Sequence, residues 1–268
     1  MTSSLLDLSG TEKPRQIQEN MMVYMRLFAG LPGMTMYDAE SFWFVSNKLA
    51  PGNAVLRTRW EASLTEERID AMLEQIGQYI DQIDWFVFPD DQPTDLGKRL
   101  EAHGMPGGPG GNWLWADLTS LGAGPTMPEN FRIEQVRDDQ MLEEWVRVSE
   151  VGTGEELAMF YKAYARHGYG PDAYSLHYTG YLDDTPVTAG TLLDAGGCAS
   201  IYDISTPPAF RRQGFGGAIT HALMQEIRNR GYADTWIWSS NMAKRVYQKL
   251  GYVDADFGLR EHSWHRRS

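Results

Sequence analysis

A single cysteine, Cys198, in 268 residues excludes a disulfide framework and a cysteine-built zinc site, and agrees with a reducing compartment. Long apolar runs are also missing. None reaches the ~18 residues that a membrane-spanning helix needs, and the first ten residues lack the basic region and apolar stretch of a secretory signal. The expected location is therefore cytoplasmic, with no membrane partner. Positive charge is scarce too: 24 Lys and Arg stand against 36 Asp and Glu, a net −12. That balance argues against nucleic acid as a partner and leaves cationic or neutral small molecules. Apolar content is not lacking. At 42% hydrophobic and 12% aromatic residues the chain can pack a core, so the disordered class is excluded. Its length suits one large domain or two small ones.

The acidic excess is uneven, with a net −9 in residues 1–130 and −3 in 131–268. Between these halves Leu121-Gly-Ala-Gly-Pro-Thr-Met-Pro-Glu-Asn130 is rich in Gly and Pro without apolar periodicity, and reads as a linker. The expected organisation is a first domain over 1–120, a linker over 121–130 and a second domain over 131–268. In the second half the pattern predicts a strand at Phe131–Val136 and helices at Asp138–Val151 and Glu155–Ala165. Strands follow at Tyr174–Leu182, Pro186–Asp194 and Ala199–Ser205. A glycine loop then opens a helix, Gly217–Arg230, followed by a strand at Thr235–Ser239, a helix at Met242–Leu250 and a last strand within Tyr252–Trp264. Gly231 and Gly251 end the two helices. This order is a mixed α/β sheet.

The sharpest local feature is Thr206-Pro-Pro-Ala-Phe-Arg-Arg-Gln-Gly-Phe-Gly-Gly-Ala-Ile219. It follows a strand and opens a helix, where unpaired N–H groups and the helix dipole attract anions. Glycine allows close backbone approach, and Arg211 and Arg212 add positive charge. The segment reads as a diphosphate site. The dinucleotide fingerprint is disfavoured, because it needs a third Gly three residues after the second, and position 219 is Ile. Four other Gly-x-Gly pairs lack the strand before and helix after, and read as turns.

Arg211-x-x-Gly214-x-Gly216 in this setting resembles motif A of the GNAT superfamily of acyl-CoA-dependent N-acetyltransferases. About thirty residues on, Ser239-Ser-Asn-Met-Ala-Lys-Arg-Val-Tyr-Gln-Lys-Leu-Gly-Tyr252 is similar to motif B. The resemblance covers residues 131–268. It implies a mixed, mostly antiparallel sheet with flanking helices, acetyl-CoA as co-substrate, no metal, and an amine acceptor. It also implies that acyl-CoA lies where two parallel strands splay apart. Ile204, Ser205 and Thr206 would then offer backbone hydrogen bonds to the pantetheine, and Arg211, Arg212, Gln213, Gly214, Phe215, Gly216 and Gly217 would cradle the diphosphate. Ser240 stands where motif B commonly has Asn, so its cofactor contact is in question. Tyr247 matches the tyrosine that serves as general acid near the sulfur, and a backbone N–H of Ile204 or Ser205 would face the oxyanion.

Asp203 is a candidate base, directly or through water, with an ordinary turn carboxylate as the alternative. Glu155 and Glu156 read as charges compensating a helix dipole. His262 and His265 sit in a basic tail without metal spacing, and Cys198 reads as a packed residue rather than a ping-pong thiol. In the first half, Trp85-Phe-Val-Phe-Pro lines up with Trp236-Ile-Trp-Ser-Ser as a candidate internal repeat, with a coincidental αβα arrangement as the alternative. This places Trp60-Glu-Ala-Ser-Leu-Thr-Glu-Glu67 where the glycine loop would be. Acidic and without glycine, it would repel a diphosphate, and Leu100 falls at the place of Tyr247. The first half is thus expected to be a GNAT-like copy without cofactor chemistry. It would shape the acceptor pocket or an interface, a homodimer among the options. The resulting expectation is an acetyl-CoA-dependent N-acetyltransferase acting on a primary amine of a small molecule or peptide. The alternatives are a non-catalytic acyl-CoA-binding regulatory module and an interaction scaffold. The acceptor stays open among aminoglycoside, polyamine, peptide amine, arylalkylamine and amino acid.

Overall fold

The computed structural model describes residues 5–46, 51–149, 154–170 and 172–266. The chain forms two compact units that are not sequential. One comprises Gly111–Ala255, the other Leu6–Gly110 together with Asp256–Ser268.

In the unit of Gly111–Ala255 the strands lie in the order Val253–Asp256, Asn112–Asp117, Asp234–Ser239, Cys198–Ser205, Thr185–Ala195, Ser175–Leu182 and Phe131–Gln135. All neighbours run antiparallel except Cys198–Ser205 and Asp234–Ser239, which run parallel. The hairpins turn where the sequence carries residues that tolerate positive φ: Asp183 (53°), and Gly196 and Gly197 (69° and 79°). Alternation divides the faces. Leu176, Leu192, Ala199, Ile201, Ile237 and Leu114 cluster with Leu223, Met224 and Ile227 of the helix Phe215–Asn229. His177 and its cross-strand partner Thr191 face the other way, where Trp145 and Tyr164 pack on the His177 ring. Trp145 and Tyr164 come from the helices Asp139–Ser149 and Glu155–His167. The last two residues of the first helix as expected from the sequence lie outside the described residues. Burial of the His177 ring pushes its pKa down to about 3, so it is a neutral core residue.

In the unit of Leu6–Gly110 and Asp256–Ser268 the order is Thr35–Asp38, Ser41–Val45, Ala54–Thr58, Gln82–Val87, Arg260–His265 and Gly107–Gly108. Ala54–Thr58 and Gln82–Val87 are its parallel pair. Its core joins Trp43, Val55, Trp60, Ile69, Ile76, Trp85 and Leu100. The helix Thr65–Gly77 ends before Ile83, which belongs to the following strand Gln82–Val87.

Two strands differ from the sequence-based organisation. Asn112–Asp117 follows the first half in the chain, yet pairs with Asp234–Ser239 along its whole length. Arg260–His265 ends the second half, yet pairs with Gln82–Val87. Each unit thus takes its antiparallel strand, beside the parallel pair, from beyond the sequential boundary. His262 is accordingly no tail residue. It is buried, and its Nδ1–H donates to the Met105 carbonyl at 2.9 Å.

Candidate functional site

The parallel pair Cys198–Ser205 and Asp234–Ser239 meets at Ser200↔Trp236, and beyond that point the two strands separate. What turns the first strand away is a bulge. Ala189 faces Ser205 and Thr191 faces Tyr202, so Asp203 and Ile204 together oppose Gly190. Asp203 adopts φ +54° there. A Cβ at Gly190 would lie 2.6 Å from Ile204 Cδ1 and 3.0 Å from Leu223 Cδ1, so those side-chain ends would have to shift to admit one. The bulge also breaks alternation. Ile204 stays on the face of the Phe215–Asn229 helix, whereas Tyr202 and Asp203 both turn to the opposite face. There Tyr164 donates its hydroxyl proton to Asp203 Oδ2 at 2.6 Å.

Beyond the opening the chain is pinned by Thr188 Oγ1, which donates to the Ser205 carbonyl at 2.6 Å and lies 3.0 Å from Thr206 Oγ1. Arg211 Nε–H donates to the Thr206 carbonyl at 2.9 Å, and Gln213 Nε2 to the Ala209 carbonyl at 3.3 Å. Arg212 and Gly214 take positive φ, 65° and 93°, to swing the backbone into the helix that starts at Phe215. The first-turn N–H groups of that helix have no acceptor one turn back. Gly216 permits a close approach, since a Cβ there would come within 3.3 Å of Thr206 Oγ1. The Phe215 side chain belongs to the core, its ring tilted against that of Phe131 at 5.1 Å, so it can offer a ligand only its backbone.

The segment read as a linker is packed onto this helix. His221 Nε2–H donates to the Gly122 carbonyl at 2.9 Å. Pro125 lies beside Gly217, and the Met127 sulfur beside Gly214. Behind the segment is a cavity of about 390 Å3 lined by Trp115, Asp117, His221 and Lys249 among others.

Tyr247, on the helix Lys244–Lys249, sits in the apolar cluster with Ile237 and Leu223, edge-on to Tyr252 at 5.9 Å. Burial pushes its phenol up to about 12, so it keeps its proton at neutral pH. Asp203 and Tyr247 therefore belong to opposite faces of the opened strands. Ser240 is exposed, and its Oγ accepts from Ala243 N–H at 3.3 Å, within the turn that precedes the helix Lys244–Lys249. Glu155 and Glu156 occupy a first helical turn, as their charge suggests. Cys198 is buried at its strand start, as expected. Tyr164 was not legible as a partner of Asp203, since 39 residues separate them. Trp113, Trp236 and Trp238 were not singled out either. Their Trp-x-Trp spacing (113/115, 236/238) was the available signal for a shared sheet face.

The equivalent opening in the other unit is filled by its own chain. Val55↔Trp85 matches Ser200↔Trp236, so Thr58–Trp60 match Asp203–Ser205. Thr58 N–H donates to Asp91 Oδ1 at 3.1 Å. The Thr58 carbonyl accepts from Gln92 N–H at 2.9 Å, and Trp60 N–H donates to the Gln92 carbonyl at 3.1 Å. Asp91 is 2% exposed and also accepts from Gln18 Nε2 and Phe88 N–H, both at 2.9 Å.

A family model described as FR47-like protein matches residues 181–263. The [ribosomal protein bS18]-alanine N-acetyltransferase of Escherichia coli strain K12 is 35% identical over 60 residues, 21% of this chain and 40% of that protein. The chain thus spans about two-fifths of the length of the curated relative it matches. Among solved structures, a GCN5-related N-acetyltransferase from Kribbella flavida superposes with a TM-score of 0.63 at 15% identity, over 93% of this chain and 96% of that one. A tandem GNAT protein from the clavulanic acid biosynthesis pathway gives 0.60 at 13% identity, over 97% and 96%. At these identities the likeness is one of fold, across nearly the whole of both chains.

Proposed function

We propose that the chain is a member of the GNAT superfamily and an acetyl-CoA-dependent N-acetyltransferase, which moves the acetyl group directly to a primary amine of a small molecule or peptide. The observation that carries this reading is the opening of Cys198–Ser205 away from Asp234–Ser239 just before a glycine turn at a helix N-terminus. The residues fit the co-substrate: Arg212–Gly217 present a run of backbone N–H groups to a diphosphate, and Ile204–Thr206 form the strand end beside it. Bound acetyl-CoA supplies a thioester whose carbonyl carbon takes the amine.

The chain's own residues have three tasks. Asp203, held by the Tyr164 hydroxyl, accepts a proton from the incoming ammonium, directly or through water, since only the neutral amine attacks. The N–H of Ile204 or Ser205, set by the bulge, donates to the charge that develops on the carbonyl oxygen. Tyr247, a phenol that keeps its proton, donates it to the departing thiolate. The relative named for an alanine of ribosomal protein bS18 supports a primary amine without naming the acceptor. The unit that contains Asp91 binds no second coenzyme in this reading, because Asp91 and Gln92 already occupy the matching backbone groups. A thiol-release assay with acetyl-CoA over amine classes is expected to show turnover with at least one. Tight acetyl-CoA binding without thiol release from any amine would support the binding-module alternative instead.

A further inference from the structure

Residues 121–128, read from the sequence as a linker, run across the helix Phe215–Asn229 beside its glycine turn. The segment is anchored at both ends. Leu121 packs against the apolar cluster of that helix, and Phe131 N–H donates to the Pro128 carbonyl at 3.0 Å. Between these points the described residues give residues 122–127 one hydrogen bond, from His221 Nε2–H to the Gly122 carbonyl at 2.9 Å. His221 is 6% exposed, so its ring has little room to yield. The chain passes close over that ring. A Cβ at Gly124 would lie 2.6 Å from Nδ1 and 2.9 Å from Cε1, so any larger residue there would push the segment and the ring apart. The residues that follow reach the glycine turn. Pro125 Cγ is 3.6 Å from where a Cβ of Gly217 would stand, and Val246 Cγ1 is 3.7 Å from the same point. The Met127 sulfur is 3.6 Å from the Cβ position of Gly214.

The composition of the segment suits the neighbourhood of an anion. None of residues 121–128 is acidic, in a chain of net −12, so the segment adds no repulsion beside a diphosphate. Pro125 and Pro128 fix their own φ, whereas Gly122 and Gly124 lose the most entropy when ordered. The His221 bond falls at that looser end. Pro125 and Val246 cover the buried Gly217, and a hydrogen bond from a poorly hydrated N–H is stronger than one made in water.

We propose that residues 122–127 form a second wall of the coenzyme site, against the nucleotide half of acetyl-CoA, and that His221 is the positioning residue that holds this wall in place. This deepens the N-acetyltransferase reading and rests on its diphosphate site. His221 touches neither the coenzyme nor the acceptor. It fixes the glycine-bearing segment beforehand, so that binding does not carry the cost of ordering it.

The test is calorimetric titration of the full chain with CoA and with its nucleotide half, adenosine 3′-phosphate 5′-diphosphate. His221→Ala removes the donor and should raise the Kd of both probes by the same factor, about 2- to 10-fold, the range of one hydrogen bond. His221→Gln keeps an N–H donor and should restore most of the loss. Gly124→Ala, at an exposed position, pushes the segment off the ring and should weaken binding with His221 intact. It also carries the test alone should His221→Ala fail to fold. The double variant should bind no more weakly than the weaker single one, because both changes release the same segment. Four results would each overturn the proposal and leave the diphosphate site standing. These are unchanged CoA affinity in a folded His221→Ala or in Gly124→Ala, a loss seen for CoA but not for the nucleotide half, no recovery in His221→Gln, and losses that add in the double variant. Failure of the parent chain to bind CoA would overturn the diphosphate site and the proposal together.

Discussion

Asp91→Asn tests the filled opening in the unit of Leu6–Gly110 and Asp256–Ser268. The Asp91 carboxylate accepts three hydrogen bonds, Oδ1 from Gln18 Nε2 and Thr58 N–H, and Oδ2 from Phe88 N–H. Asparagine can keep the first two with its carbonyl oxygen. Its NH2 then faces the Phe88 N–H, donor against donor, and that buried donor is left unsatisfied. The cost is about 1–3 kcal/mol for the orphaned group. The loss should itself depend on pH. Burial outweighs the three N–H donors and raises the Asp91 pKa from 3.8 to about 6. A folded-state pKa above the unfolded value means that the folded unit binds the proton more tightly. The associated stability is present at acid pH and is lost as pH rises from about 4 to about 6. At 1.36 kcal/mol per pKa unit the change is on the order of 3 kcal/mol. Urea unfolding of parent and Asp91→Asn at pH 4.5 and 7.5 isolates the effect, because all other carboxylates cancel in the difference. The stability gap between parent and variant is expected to be larger at pH 4.5. A gap that grows toward pH 7.5 would mean that the N–H donors stabilise the charged carboxylate more than burial penalises it, and would refute the reasoning.

Three further outcomes concern the site. Tyr247→Phe removes only a hydroxyl from a ring packed against Tyr252. Its kcat should fall about 10²–10⁴-fold, with melting temperature and acetyl-CoA affinity nearly unchanged and partial rescue by a thioester of a more acidic thiol; a parental rate with chemistry rate-limiting would remove Tyr247 from the mechanism. In Gly216→Val the new side chain starts from a Cβ 3.3 Å from Thr206 Oγ1 and stands where the backbone must approach the diphosphate. Calorimetry should show binding weakened beyond detection, and an unchanged affinity would displace the site from the loop. Equilibrium dialysis with saturating CoA should give one molecule per chain, because Thr58 and Trp60 already hold Asp91 and Gln92. A stoichiometry of two would contradict the filled opening.

Much of this protein could be read from residues close together in the chain. The glycine turn at 214, the helix stops at Gly231 and Gly251 and the hairpin at Gly196-Gly197 all depend on torsions that few residues adopt. Torsional preference is local, so it shows in a short window. The helix Phe215–Asn229 and the strand that feeds it follow from periodicity, and the placement of Tyr247 one helix later follows from motif spacing. The acidic run Glu61 to Glu67, on which the expectation of a first half without a glycine loop rests, is local in the same way.

What no window contained was the partner of each strand. Asn112–Asp117 and Arg260–His265 alternate well enough to be strands, but alternation says which residues share a face and nothing about which neighbour supplies the ladder. Only the packed chain decided that each completes the sheet on the far side of the sequential boundary. Tertiary structure also joined Asp203 to Tyr164, through a bulge that Gly190 on the adjacent strand makes room for. It likewise assembled Trp113 and Trp238, 125 positions apart, into one stacked pair. The physical reason is common to all three. Torsions and helix ends are set by neighbours in the chain, whereas β pairing, burial and charge placement are set by neighbours in space, and in this fold those come from distant parts of the chain.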